Sequence, residues 1–291
     1  MERIKEEIRQ KIIDFLKSRN IQCDEEMNYT DSLIKLLDLN GKWIPTKKRS
    51  VLYSEELQNK MDGVLSQDTV ELIRFFEKEF VDGKNINSHL SRNIFVSKNY
   101  DKLLNHWNIH HLHLKKDEAT SDEEMRNNRS STYLLFLVDS ENVYFLDCVP
   151  HLQGDEFADL NFIEIIFNNG WLDVVPLIKL ENVVELGVDI RNKEEIYALW
   201  KNNINISAYR FGDAFYSVGK GVSRAGNRLP ATLIKCELEK ILFNLSQDPS
   251  FSLISVEILS DEYLLSIKFN QEGMEKQIVY NSNSGFNCFE L

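Results

Sequence analysis

Proline and glycine are scarce in this chain, 5 and 12 in 291 residues, which argues against a disordered or low-complexity protein. The 4 cysteines, Cys23, Cys148, Cys236 and Cys288, lie far apart and make no C-x-x-C pair. A disulfide framework is therefore not expected, and reduced thiols in a cytosol are. No apolar stretch approaches the ~20 residues that span a bilayer, so no membrane partner is expected. The opening Met1-Glu2-Arg3-Ile4-Lys5-Glu6-Glu7 is charged and reads as the start of a helix, not as a signal peptide, which again points to the cytoplasm. Positive charge is short as well: 34 Lys and Arg against 46 Asp and Glu leave a formal charge of −12. That excludes a wholly basic surface of the kind that sheathes nucleic acid, while leaving room for a local basic pocket.

What is present is enough apolar residue for one large core or two ordinary ones, and the length favours two domains. The pattern predicts an α+β fold in three regions. Residues 1–96 read as a helical N-terminal region. Ile4, Ile8, Ile12 and Phe15 recur at helical spacing, a short helix fits Asp31 to Leu39, and Gly41 to Ser54 reads as a loop. Asp68 and Glu71 form a D-x-x-E signal for a helix that ends before Asp82-Gly83. Residues 97–171 read as a central antiparallel sheet with flanking helices. A strand is expected over Ile109 to Leu114, then a hairpin of Thr132 to Val138 and Val143 to Val149 about a turn at Ser140-Glu141-Asn142, then a helix ending at Asn169-Gly170. Residues 172–291 read as a C-terminal α+β domain. It should hold a strand over Val183 to Asp189, a helix from Lys193, a helix opened by Pro230, and a closing three-strand meander.

Histidine is the residue that suggests chemistry. Five of 6 are His106, His110, His111, His113 and His151, and the two-residue period of a strand puts His111 and His113 on one face and His110 on the other. The hairpin ends at Asp147-Cys148-Val149-Pro150-His151 and can return His151 to the same end of the sheet. Arg126 and Arg129 precede the middle strand. Such a set suits phosphodiester cleavage without a metal. One imidazole takes the proton of the ribose 2′-hydroxyl, another protonates the leaving oxygen, and an arginine offsets the charge on the phosphorane. Imidazole fits both roles because its unperturbed pKa of ~6.5 lies near working pH.

Arg129, the strand Tyr133-Leu134-Leu135-Phe136-Leu137-Val138, the turn at Glu141-Asn142, and Val143-Tyr144-Phe145-Leu146-Asp147 leading to His151 resemble the ribonuclease fold of bacterial RelE/ParE/HigB-type toxins. The resemblance covers residues 98–170, a matter of pattern and not of a strict string. It implies an RNase that acts without a metal and inhibits growth under an antitoxin or in antiphage defence. The chain is far longer than such toxins, is acidic, and extends on both sides of the matching region.

The expected catalytic set is therefore His111 and His113 as acid and base, with Arg129 and His151 on the scissile phosphate. Lys115, Lys116 and Arg126 lie in a mixed-charge loop that could fold over substrate. Lys220, Arg224 and Arg228 lie in the glycine-rich stretch Gly212 to Arg228, whose glycine spacing does not fit a Walker A loop. These six are the expected substrate contacts, RNA and an antitoxin or other protein are the expected partners, and no cofactor is expected. Two other readings stand beside this one. In one, the histidines only pack, and the protein is a non-catalytic interaction or sensor component. In the other, His111, His113 and His151 supply three nitrogen ligands to zinc, although no carboxylate or cysteine stands at ligand spacing.

Overall fold

The computed structural model describes residues 1–19, 21, 23–90, 101–115, 131–175, 177–183, 190, 192–218, 221–223, 227–259, 264–281 and 285–290. Among these the fold is α+β, with eight helices and three sheets. In space the chain groups into two units. One joins Met1–Pro45 to Asn227–Leu291, and the other holds Thr46–Asn93 with Tyr100–Gly226.

In the first unit, α1 (Glu2–Ser18) buries Ile4, Ile8, Ile12, Ile13 and Leu16, the stripe its spacing predicts. The second helix, α2 (Tyr29–Lys42), starts earlier than expected because Asn28 caps it, accepting the Asp31 N–H at 2.9 Å. These helices pack with α8 (Leu229–Ser246), which Pro230 opens at a position where its missing N–H costs nothing. The layer beneath is a sheet of β8 (Ser252–Leu259), β9 (Leu264–Gln271), β10 (Met274–Asn281) and β11 (Gly285–Glu290), in the order β11-β10-β9-β8 and antiparallel throughout. The expected three-strand meander is thus four-stranded. Gly285–Glu290 carries too little alternation to announce itself and is held by pairing with β10 from Lys276↔Glu290 to Asn281↔Gly285.

The second unit is built on β3 (Thr132–Val138) and β4 (Asn142–Pro150), the expected hairpin. Both are buried along nearly their whole length, which is why they read as apolar runs and not as alternating strands. Their turn is fixed by Asp139, whose Oδ1 accepts the N–H groups of Glu141 and Asn142, each at 2.7 Å. Burial pushes the Asp139 carboxyl up, but these backbone donors and the Tyr144 hydroxyl outweigh it and hold the group below the usual carboxylate range. On one side β3 pairs with β2 (His110–His113), antiparallel. On the other, β4 pairs with β1 (Ser50–Tyr53), parallel, from Ser50↔Asn142 to Tyr53↔Phe145. The sheet therefore has a parallel edge strand in a segment that the sequence reading leaves as a loop.

Helices cover both faces. α3 (Glu55–Gly63) and α4 (Gln67–Asp82) lie on one, where Phe80 meets Phe136 and Phe145 with ring centroids 5.5 and 5.9 Å apart. α4 is capped by Ser66, not by Asp68, and ends at Gly83 in the left-handed region (φ 70°), where a Cβ would meet the Lys48 backbone N at 2.7 Å. On the other face lie α5 (Lys102–Trp107), α6 (Asn161–Asn168) and α7 (Lys193–Lys201). The small antiparallel sheet of β5 (Leu177–Leu180), β6 (Tyr209–Phe211) and β7 (Ala214–Val218), order β5-β7-β6, joins the same core. β5 is a strand that sequence reading does not find, and most of the strand expected over Val183 to Asp189 lies outside the described residues.

Phe136 is fully buried between His110, Phe80 and Phe145. Phe136→Ala is expected to cost this unit about 3–5 kcal/mol through lost burial and a residual cavity. Urea unfolding followed by near-UV circular dichroism should show the lowered midpoint, and an unchanged midpoint would mean that the two-faced packing is misread.

Candidate active site

The cross-strand register collects the histidines. His113 on β2 stands opposite Tyr133 on β3, and His111 stands opposite Leu135, diagonal to Tyr133 on the same face. On the far side, Pro150 pairs with Thr132, and the next residue, His151, donates its N–H to the Ser131 carbonyl at 2.9 Å. Three neighbouring strands thus bring three imidazoles around one phenol. Ring centroids of His111, His113 and His151 lie 5.0, 4.7 and 4.7 Å from that of Tyr133. The Tyr133 hydroxyl is 2.7 Å from His151 Nε2.

Access separates the three. His111 is buried, its side chain 5% exposed, with Phe157 near it at 6.3 Å between centroids. Its Nδ1 lies 3.5 Å from Asp101 Oδ2 without hydrogen-bond geometry. The other Asp101 oxygen caps α5 by accepting the Leu104 N–H at 3.1 Å. His113 and His151 are half-buried and face one another at 6.2 Å between centroids. Tyr133 and Asp101 are the members that sequence reading missed. The signal for Tyr133 was the register of β2 on β3, and that for Asp101 its capping position ahead of Leu103-Leu104.

The remaining histidines belong elsewhere. His110 points to the opposite face and stacks on Phe136 at 5.4 Å. His89 meets Phe76 edge-on at 5.0 Å. His106 stacks on Trp200 at 4.2 Å with planes 3° apart. Asp147, a carboxylate near His151 in sequence, does not join the cluster. A bulge at Leu135/Phe136 leaves Leu146 as the extra residue of β4, and Lys60 holds both Asp147 oxygens, at 2.6 and 2.8 Å. Burial pushes the Asp147 carboxyl up, and the Lys60 ammonium pulls partly against it.

Of the expected substrate contacts, Lys115 follows β2 by two residues and is half-buried. Arg129 of the expected catalytic set, together with Lys116, Arg126, Lys220 and Arg224, lies outside the described residues. Arg228 is no surface contact. It is buried in the other unit, directly before α8, and its Nε lies 3.9 Å from Asp38 Oδ1. A Cβ at Gly41 would run into its guanidinium, so α2 is shaped to receive it. Among the described residues no group of three His, Cys, Asp or Glu side chains is arranged to hold a metal ion. Nor does any described helix have the length and apolarity to cross a membrane.

Comparison with protein-family models, with curated proteins and with solved structures finds no match to this chain.

His106 carries a pH consequence. Burial, with a smaller push from Lys102, lowers its pKa to about 3, so it stays neutral in the folded chain while an unfolded histidine protonates at ~6.5. Between those values the unfolded state binds more protons, so stability is full above pH ~6.5 and is lost as pH falls, by at most about 1.4 kcal/mol per unit. His106→Phe keeps the stack on Trp200 and removes the titration. Urea midpoints at pH 7 and pH ~4.5 should fall less in His106→Phe than in the parent chain, and equal losses would refute this origin.

Proposed function

We propose that this chain is a cytoplasmic, ribonuclease-like effector of the bacterial toxin or antiphage-defence kind that cleaves RNA without a metal by acid–base catalysis. The observation that carries the reading is the convergence of three imidazoles on Tyr133, two of them half-exposed and 6.2 Å apart. In this reading a phosphodiester lies against the exposed edges of these two rings. One of His113 and His151 takes the proton from the ribose 2′-hydroxyl, and O2′ attacks phosphorus. The other delivers a proton to the departing 5′-oxygen, leaving a 2′,3′-cyclic phosphate. Burial makes the working pair His113 and His151 in place of His111 and His113. His111, backed by Asp101, packs against the phenol and sets the floor of the site. The charge-offsetting role of Arg129 rests on the sequence alone.

A second reading has two observations in its favour. The Tyr133–His151 hydrogen bond and the burial of His111 are also what a purely packed face would show, as in a non-catalytic interaction or sensor protein. The two differ in outcome. On the first, the purified chain cleaves single-stranded RNA in the presence of a chelator, and His113→Ala or His151→Ala lowers the rate by about 10²–10⁴-fold. Cleavage that is absent, or unaltered in both variants, would sink the ribonuclease reading and leave the packed one.

A further inference from the structure

In a chain with net charge −12, two lysines of the second unit share one aromatic ring. Lys102 opens α5 and Lys201 closes α7. Their ammonium groups lie over one ring, that of Tyr197, at 4.7 and 5.9 Å from its centroid. Neither forms an ion pair among the described residues. The nearest ion pair on the same helix is Lys193–Asp155, at the opposite end of α7. Local helix energetics account for only one of the two. A cation suits the C-terminal end of α7, but Lys102 stands at the N-terminal end of α5, where the dipole disfavours it. The ring quadrupole attracts each ammonium, yet at partly exposed sites this yields only about 0.5–1 kcal/mol and leaves their mutual repulsion in place.

The geometry points to a phosphate-binding subsite at Lys102, Lys201 and Tyr197. A phosphate oxygen set between the ammoniums would neutralise the repulsion with charge-assisted hydrogen bonds. Burial and the charge of Lys201 lower the Lys102 pKa, as fits an ammonium with no carboxylate against it among the described residues. Tyr197, half-buried, shares its helix with Lys201. Chain continuity ties the subsite to the histidines: Lys102 follows Asp101, whose carboxylate lies 3.5 Å from His111 Nδ1. Resting on the ribonuclease reading, the ligand is the backbone of a single-stranded RNA, held at a phosphate beside the one that is cleaved. Free phosphate offers the same chemistry from another source.

Anisotropy of a fluorescein-labelled single-stranded oligouridylate, and calorimetry with inorganic phosphate, test this on the full chain. The parent, Lys102→Gln/Lys201→Gln and the charge-keeping Lys102→Arg/Lys201→Arg would be compared. Removing both charges is expected to weaken RNA binding roughly ten-fold at low salt and to flatten the slope of log K against log salt by roughly 0.7, the contribution of one phosphate on a single strand. The arginine pair should retain most of both. Binding of inorganic phosphate alone, lost in the glutamine pair, would keep the subsite and assign it to free phosphate. RNA affinity and slope unchanged in the glutamine pair, or no binding of either probe by the parent, would overturn it. The two readings fail separately. Lysine-dependent binding without cleavage keeps the subsite and removes the ribonuclease, whereas cleavage indifferent to the lysines does the reverse.

Discussion

Burial of β3 and β4 on both faces is the constraint from which the second unit follows. A strand covered on one side only can keep polar residues on the other, but these two have nowhere to put them, so their sequences are almost wholly apolar. Polar chemistry is then confined to the strand ends and to the neighbouring strand. That is where Tyr133, His113 and His151 lie, near the end of the sheet where β3 begins and β4 finishes. The same burial explains Asp147, a carboxylate inside β4 that survives only because Lys60 reaches both of its oxygens. Cys148 beside it has its thiol pushed up to about 12 by burial and by the Asp147 charge, so it is an inert packing group and not a nucleophile.

Much of this architecture was legible from periodicity. The stripe of α1, the hairpin, the left-handed Gly83 and the proline at the start of α8 each have a local cause that a sequence displays. What escaped were elements with a non-local cause. Ser50–Tyr53 is too short to show alternation and follows the basic run Lys47-Lys48-Arg49. It becomes a strand because β4 offers a parallel edge, and Arg49 is anchored by its Nε bond to the Asp139 carbonyl at 3.0 Å. β11 and β5 are likewise strands by virtue of their neighbours.

The candidate site divides in the same way. A period of two was enough to place His111 with His113 and apart from His110. It could not tell the two apart, since their difference in access comes from Asp101 and Phe157, brought in from other elements. His106 looked like part of the same cluster, but helical geometry sends it to Trp200. Arg228 looked like a loop cation, and only the fold shows that α2 takes it up.

The grouping of both chain ends into one unit bears on synthesis. α1 and α2 are made ahead of α8 and the strands that share a core with Leu16, Leu33 and Leu36, which are encoded some two hundred residues later. Until then α1 and α2 have only each other to pack on, while the segment from Thr46 to Gly226 already holds every described strand of its own sheets. These two helices wait through a long loop closure, and during that wait the apolar surface they leave open is what a chaperone would meet.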